Sequence, residues 1–423
     1  IPITLASAAA DIKRHFNGRQ AGSCPPGPGK GYHLNRANQY KYCQENTSQS
    51  KLSCSADPVG LFLLFGKQLI VDFRPLGLDT GYMAKIMLGI DIGTTSIKAV
   101  SLSRNKNDVS LLAAGNIPAP RVNPDMVAHS DEQVIANTIN QLVHDMKVNS
   151  AGVAVSLPSY KVINQVIEIP EMNEKEIEQS IQWEAEQYIP LPLSKVKIDY
   201  SVIGRNEATK KLKIILVAAP LSLIEKYMRI ISLTGLNLLA IETEILASVR
   251  SVVHSLPTLA NIMLLSVGAT NTEIALIRNQ LLIYTKSYPI GGNTLTRAVS
   301  EELGFDYSQA EEYKNTYGLD ESKLEAKINK IVAPFFTNLF SEIEKTIIYF
   351  KEEYLKEEIM TVVISGGTAK LPGLMLATTK NIGINSQVSN PFINIQANET
   401  VLNSLTADAP IYTTSVGLAL KEI

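Results

Sequence analysis

LGIDIGTTSIKAV, residues 88–100, is the stretch that decides how the rest of the chain is read. Apolar and small residues alternate up to a tight glycine turn and then resume, which predicts strand, turn, strand. Gly93 lets backbone come close to a phosphate, and such a turn can aim successive N–H groups at its oxygens. Thr94 and Thr95 add hydroxyl donors, and Lys98 on the returning strand can reach the same phosphates as a point charge. Asp91, at the end of the first strand, is a candidate to hold Mg²⁺ through water, since that ion keeps several waters. Read alone, the same residues also suit an ordinary hairpin with a glycine turn.

A second stretch, LLSVGATNTEIAL at 264–276, has the same form, with x-G-x-T at its turn. The repeat predicts a duplicated fold with a cleft between its halves, where ligands usually sit. Gly268 and Thr270 would form the opposing jaw. The acidic position is here Ser266, whose hydroxyl can bond a water but brings no charge to a metal. That bears on activation of an attacking water more than on binding. A third element, SGGTAKLPG at 365–373, puts Gly366 and Gly367 directly after a strand, where bare backbone can receive a flat nucleoside; a strand-to-helix turn is the plainer reading.

Between the hairpins lies a distinct α+β block. Strands are expected at 161–169, 196–203 and 211–217, and helices at about 174–189 and from Leu221. Asn173 and Glu176 form an Asn-x-x-Glu start signal, and Ile177, Ile181, Ala185 and Tyr188 share one helical face. Trp183, the sole tryptophan, is expected to pack. Residues 242–252 and most of 295–354 are expected to be helical, and GLALKEI to close the chain as a helix.

The net charge of −2 argues against broad nucleic-acid binding, and no apolar run is long enough for a spanning helix. All three cysteines, Cys24, Cys43 and Cys54, fall before residue 83. Residues 1–82 carry nine Lys/Arg and five Asp/Glu, or +4; the remainder carries 30 and 36, or −6. That leading segment is irregular and reads as a non-native or disordered extension, with Met83 as the natural start and a regulatory tail as the rival. A cysteine-free body suits a reducing compartment.

With three glycine turns in this order, the chain resembles the actin-like ATPase superfamily, residues 91–98 its first phosphate loop, 266–271 its second and 365–373 its adenosine loop. Within it, IQWEAEQYIPLPLSKVKIDYSVIG (181–204), IETEILASVR (241–250), YPIGGNTLT (288–296), QAEEYKNTYGL (309–319) and SNPF (389–392) resemble the PilM family of type IV pilus assembly proteins. The resemblance covers 83–423 and implies an α/β, actin-like (ribonuclease H-like, duplicated) two-lobe fold with an inserted α+β, SHS2-like subdomain 1C. It divides the chain into subdomain 1A (83–157 and 236–259), 1C (158–235), 2A (260–300 and 359–423) and helical 2B (301–358). It implies ATP with Mg²⁺ between the lobes and at most slow ATPase activity. Asp91 would be the metal-side acid, and Gly93, Thr94, Thr95, Lys98, Gly268 and Thr270 the phosphate contacts. Gly366 and Gly367 would face the adenosine. Lys314 is a ribose or adenine contact or else a solvated helix lysine. Glu244 lies where relatives position the hydrolytic water, or else on a helix surface.

The implied partner is the cytoplasmic tail of PilN, docked between 1A and 1C. Through it the protein would join the PilN–PilO inner-membrane complex and the pilus motors, cytoplasmic but peripheral at the membrane, with no direct insertion. An FtsA-like division scaffold is the nearest alternative, expected to carry a C-terminal amphipathic helix where this sequence stops at LALKEI. A carbohydrate kinase of the same superfamily is the other; it needs a carboxylate base in the cleft. Glu174, Glu176, Glu178, Glu184 and Glu186 make the 1C helix acidic, either a plain solvated surface or a field that steers a basic tail.

Overall fold

The computed structural model describes residues 85–105, 108–120, 129–148, 152–206 and 209–421. The expectations for residues 1–82 lie outside the described residues. Strand β1 (Lys85–Ile92) turns at Gly93 into β2 (Ser96–Asn105) and continues as β3 (Asp108–Pro118). Helix α1 (His129–Asp145) crosses to β4 (Val153–Leu157), which runs parallel to β1. Parallel pairing requires such a crossover. With β8 (Leu238–Thr243) they form one sheet in the order β3-β2-β1-β4-β8.

The second half repeats the arrangement. Strands β9 (Asn261–Val267), β10 (Thr272–Arg278), β11 (Leu281–Tyr288), β12 (Thr361–Ser365) and β13 (Ser386–Val388) pair in the order β11-β10-β9-β12-β13. Strand for strand this matches the first sheet: an antiparallel hairpin and third strand on one side, parallel strands on the other. The repeat of residues 88–100 and 264–276 is therefore a repeat of whole sheets.

Between β4 and β8 an antiparallel sheet of order β5-β7-β6 is built from β5 (Ile163–Pro170), β6 (Val196–Asn206) and β7 (Lys211–Pro220). Helices α2 (Glu174–Glu186) and α3 (Leu221–Thr234) accompany it. The capping box forms: Glu176 N donates to Asn173 Oδ1 at 3.1 Å and Asn173 N to Glu176 Oε2 at 2.8 Å. Ile177, Ile181 and Ala185 are buried against this sheet, but two expectations fail. Trp183 is 76% exposed, because a residue two positions after Ile181 lies about 200° round the helix, away from the sheet. The helix also ends at Glu186, so helical spacing no longer carries Tyr188 inward; Ile189 is buried in its place.

Helix α4 (Glu244–Ser255) lies between the two large sheets. Its Ile245, Leu246, Val249 and Val252 pack with Ile262, Leu264 and Ala275 of the second sheet. Ala247 packs with Met87, Ala154 and Ala240 of the first. Helix α10 (Thr413–Ala419) comes so close that a Cβ on Gly417 would stand 1.8 Å from Ala247 O, and one on Gly89 2.1 Å from Ser415 O. The last helix thus starts before GLALKEI and ends at Ala419.

The expected helix at 242–252 is shifted for a reason. Glu242 is still strand, paired with Ser156, and fully buried. Its oxygens accept from Arg250 Nη1 (2.5 Å) and Nη2 (2.7 Å) and from Lys421 Nζ (3.0 Å); Arg250 Nη1 also donates to Gly417 O (2.7 Å). Burial alone would raise its pKa, but Arg250 and Lys421 hold the carboxyl well below the usual range. Removing one partner of such a group leaves the others buried and uncompensated. Glu242→Gln is expected to cost about 3–5 kcal/mol in urea unfolding, and Glu242→Gln/Arg250→Met less than the two single changes summed.

Candidate functional site

The first jaw is built by register. In the β1–β2 hairpin Asp91 lies opposite Lys98, and Lys98 Nζ stands 3.4 Å from Asp91 Oδ2. Ser156, from the end of β4, donates its hydroxyl to Asp91 Oδ1 at 3.1 Å. Asp91 is 6% exposed, while Thr94 and Thr95 at the turn are open to solvent. A Cβ on Gly93 would meet Lys98 Nζ and Ser96 O, each at 2.9 Å, so glycine keeps the lysine over the turn. Asp91, Gly93, Thr94, Thr95 and Lys98 thus share one small surface.

The second jaw is more heavily braced. Gly268 N closes the turn on Asn271 O at 2.9 Å. Gly268 O accepts from Gly292 N (2.9 Å) and from Thr368 Oγ1 (3.1 Å), and Ala269 O accepts from Asn293 N (2.8 Å). The turn carrying Gly268 and Thr270 is therefore tied both to the start of α5 (Gly292–Leu303) and to the third glycine turn. In that turn Gly366 has φ +88° and a Cβ there would lie 2.4 Å from Val267 O, so only glycine fits. Gly367 faces open space.

Lys314, on α6 (Tyr307–Tyr317), is 4% exposed, which overturns the solvated reading. Its ammonium donates to Glu311 Oε2 (2.6 Å), Thr296 Oγ1 (2.9 Å) and Gly292 O (3.3 Å). Burial lowers its pKa while Glu311 supports the charge. In this structure it braces the Gly291–Asn293 turn. Thr296 and Glu311 were missed in the sequence, because their roles come from contacts between separate elements.

Glu244 opens α4 at the cleft, half-buried, and accepts from Ser159 N at 3.3 Å. The Ser159 hydroxyl in turn accepts from Ile245 N at 3.1 Å. Burial, then the charges of Asp91 and Glu273, push the Glu244 carboxyl well above its usual value; Ser159 N and Lys98 oppose this. Glu273, on β10 and 4% exposed, is raised by burial to about 7, with the Ser159 side chain opposing. Glu273 also lines a cavity of about 560 Å³ between the inserted sheet and the second lobe, with Ser159, Asn164, Lys213, Lys286 and Glu353. The Glu244 carboxyl thus senses Asp91 and Lys98 of the first half and Glu273 of the second.

Among the described residues no three His, Cys, Asp or Glu side chains are grouped to hold a metal directly. Asp91, fixed by Ser156 and Lys98, fits an ion that keeps its water shell. Among the described residues no helix is long and apolar enough to cross a membrane.

A family model described as type IV pilus assembly protein PilM matches residues 89–423. A solved chain of the "PilM-PilN type IV pilus biogenesis complex" superposes with a TM-score of 0.68 at 23% identity, over 79% of this chain and 97% of that chain. The cell division protein FtsA of Bacillus subtilis is 21% identical over 375 residues, 79% of this chain and 82% of the relative. FtsA of Pseudomonas aeruginosa is 22% identical over 382 residues, 79% and 89%. The fold is the α/β two-lobe, actin-like one.

Glu244 and Glu273 hold protons more tightly folded than unfolded. Their contribution is complete below about pH 4.5 and declines as pH rises through about 7 for Glu273. Unfolding midpoints in urea are expected to fall between pH 5 and 7.5, with a shallower slope in Glu273→Gln. An unchanged slope would remove Glu273 as the source.

Proposed function

The chain belongs to the family of type IV pilus assembly protein PilM, and from that membership we propose that it is an ATP-binding scaffold of the pilus assembly machine. The observation that carries the nucleotide reading is the pair of glycine hairpins in equivalent positions of two sheets of the same order, with a third glycine turn bonded to the second. The N–H groups of the first turn, with Thr94, Thr95 and Lys98, hold phosphate oxygens, and Gly268 and Thr270 close on them from the other lobe. Gly367 offers open backbone to the nucleoside beside Gly366. Lys314 shapes that pocket through Gly292 or turns to the ribose when nucleotide enters.

Mg²⁺ on the phosphates would be met through water by Asp91, and supplies charge neutralisation there. Glu244 is aimed at the same end of the cleft and is the candidate to orient a water. With Ser266 in the second loop, the reading is tight binding with at most slow turnover.

The inserted sheet carries the partner reading. The solved complex that this chain resembles joins PilM with PilN; we assign the corresponding cytoplasmic tail to the groove between the inserted block and the first lobe. Docking there would tie the protein to the PilN–PilO complex at the inner membrane and to the pilus motors. Helix α2 exposes Glu176, Glu178 and Glu186 beside Trp183. A basic tail would be steered to it in a salt-dependent way. The FtsA matches favour a second reading, the same scaffold chemistry placed in the division machinery.

Calorimetric titration of the full chain with ATP and Mg²⁺, followed by single-turnover hydrolysis, is expected to give binding with little turnover. Turnover that rises only with a sugar would identify a kinase instead. Gly367→Ala is expected to keep the unfolding midpoint and to weaken ATP about tenfold, the equivalent of about 1.4 kcal/mol. Trp183 emission reports on the tail: a PilN-tail peptide is expected to change it, with association slowing as salt rises. Salt-independent association would end the steering reading.

A further inference from the structure

The two hairpins share geometry and differ in charge. In the first, Asp91 on the outgoing strand faces Lys98 on the return. In the second, the equivalent pair is Ser266 and Glu273. The spacing is the same, the strands hold the same places in their sheets, and each pair sits across an antiparallel ladder. The acid missing at Ser266 is therefore present in the same hairpin, one strand over. Side chains directly opposite in such a ladder point to the same face, so Glu273 presents its carboxyl from the surface that carries Ser266.

Glu273 is 4% exposed, and its Oε1 has no hydrogen-bond partner among the described residues. Leaving a buried carboxylate oxygen without a donor is costly, so such a group calls for one that the folded chain does not itself provide. The surroundings say which kind. Asp91 and Glu273 both add their negative charge to the field at Glu244, and Lys98 opposes them there. An anionic phosphate entering there meets an excess of negative charge unless a cation comes with it.

We propose that Glu273, in place of Ser266, is the second lobe's carboxylate for the hydrated divalent cation that accompanies the nucleotide. The assignment rests on the nucleotide reading above. Asp91 holds the cation's water shell from the first lobe and Glu273 from the second, so the ion joins the lobes when nucleotide is bound. Ser266 is then free to be neutral, and the departure of the second loop from an acid does not remove the cation's second anchor.

The test is the ratio of ATP affinity with Mg²⁺ to affinity with EDTA, measured by calorimetry on the full chain. Wild-type protein is expected to bind more tightly with Mg²⁺, and Glu273→Gln to lower the ratio about tenfold, as loss of one charge-assisted contact implies. Adding Ser266→Asp to that variant returns the acid to the opposite strand and is expected to restore the ratio. An unchanged ratio in Glu273→Gln, or equal loss with and without Mg²⁺, would overturn the assignment and leave the nucleotide site standing. Absence of ATP binding by the wild-type protein under both conditions would instead overturn the nucleotide reading itself. Failure of Glu273→Gln to fold transfers the decision to Ser266→Asp/Glu273→Gln, where failure to restore the ratio overturns the assignment.

Discussion

Burial of helix α4 between two sheets is the constraint on which the rest depends. Its one side belongs to the second sheet through Ile245, Leu246, Val249 and Val252, and Ala247 on the other belongs to the first. A helix held on both faces cannot slide or turn without breaking two packed interfaces at once. The strand before it is fixed by the same packing. Glu242 is carried inward to Arg250 and Lys421, and two residues later Glu244 is carried to the cleft. A structural ion pair and a candidate site acid thus owe their positions to the same short segment.

The glycines extend this logic to the cleft. At Gly366 a positive φ and the carbonyl of Val267 leave no space for a side chain, so β12 is drawn against the second hairpin. Thr368 then reaches Gly268, Gly292 reaches the same carbonyl, and Lys314 reaches Gly292. Loop, helix start and third turn are one hydrogen-bonded unit. The first jaw is held by Ser156 and Lys98 on Asp91 and by Ala119 N, which donates to Thr95 O at 3.0 Å. The two jaws therefore differ in charge: the first presents an acid and a lysine already engaged with each other, and the second pairs Ser266 with Glu273.

Much of this was legible in order of residues. Alternation into and out of GTT and GAT marked two hairpins because period 2 is local, and the Asn173–Glu176 spacing marked a helix start because a capping box is local too. Trp183 and Tyr188 were misread for want of two facts: which three residues define the buried face, and where the helix stops. Lys314 in AEEYK could be solvated or functional on sequence alone; burial against Thr296 and Gly292 decided that it is internal.

The sequence by itself determined the family, the repeat, the three glycine turns and the residue types available to them, because each is a matter of short-range pattern. Only the tertiary structure decided which side chains meet. Register across β9 and β10 put Glu273 opposite Ser266, and Glu273 stands 29 residues beyond Glu244 in the chain yet shares Ser159 with it. Charge in a cleft depends on distances through space, and a sheet ladder converts strand order into those distances in a way no linear spacing records.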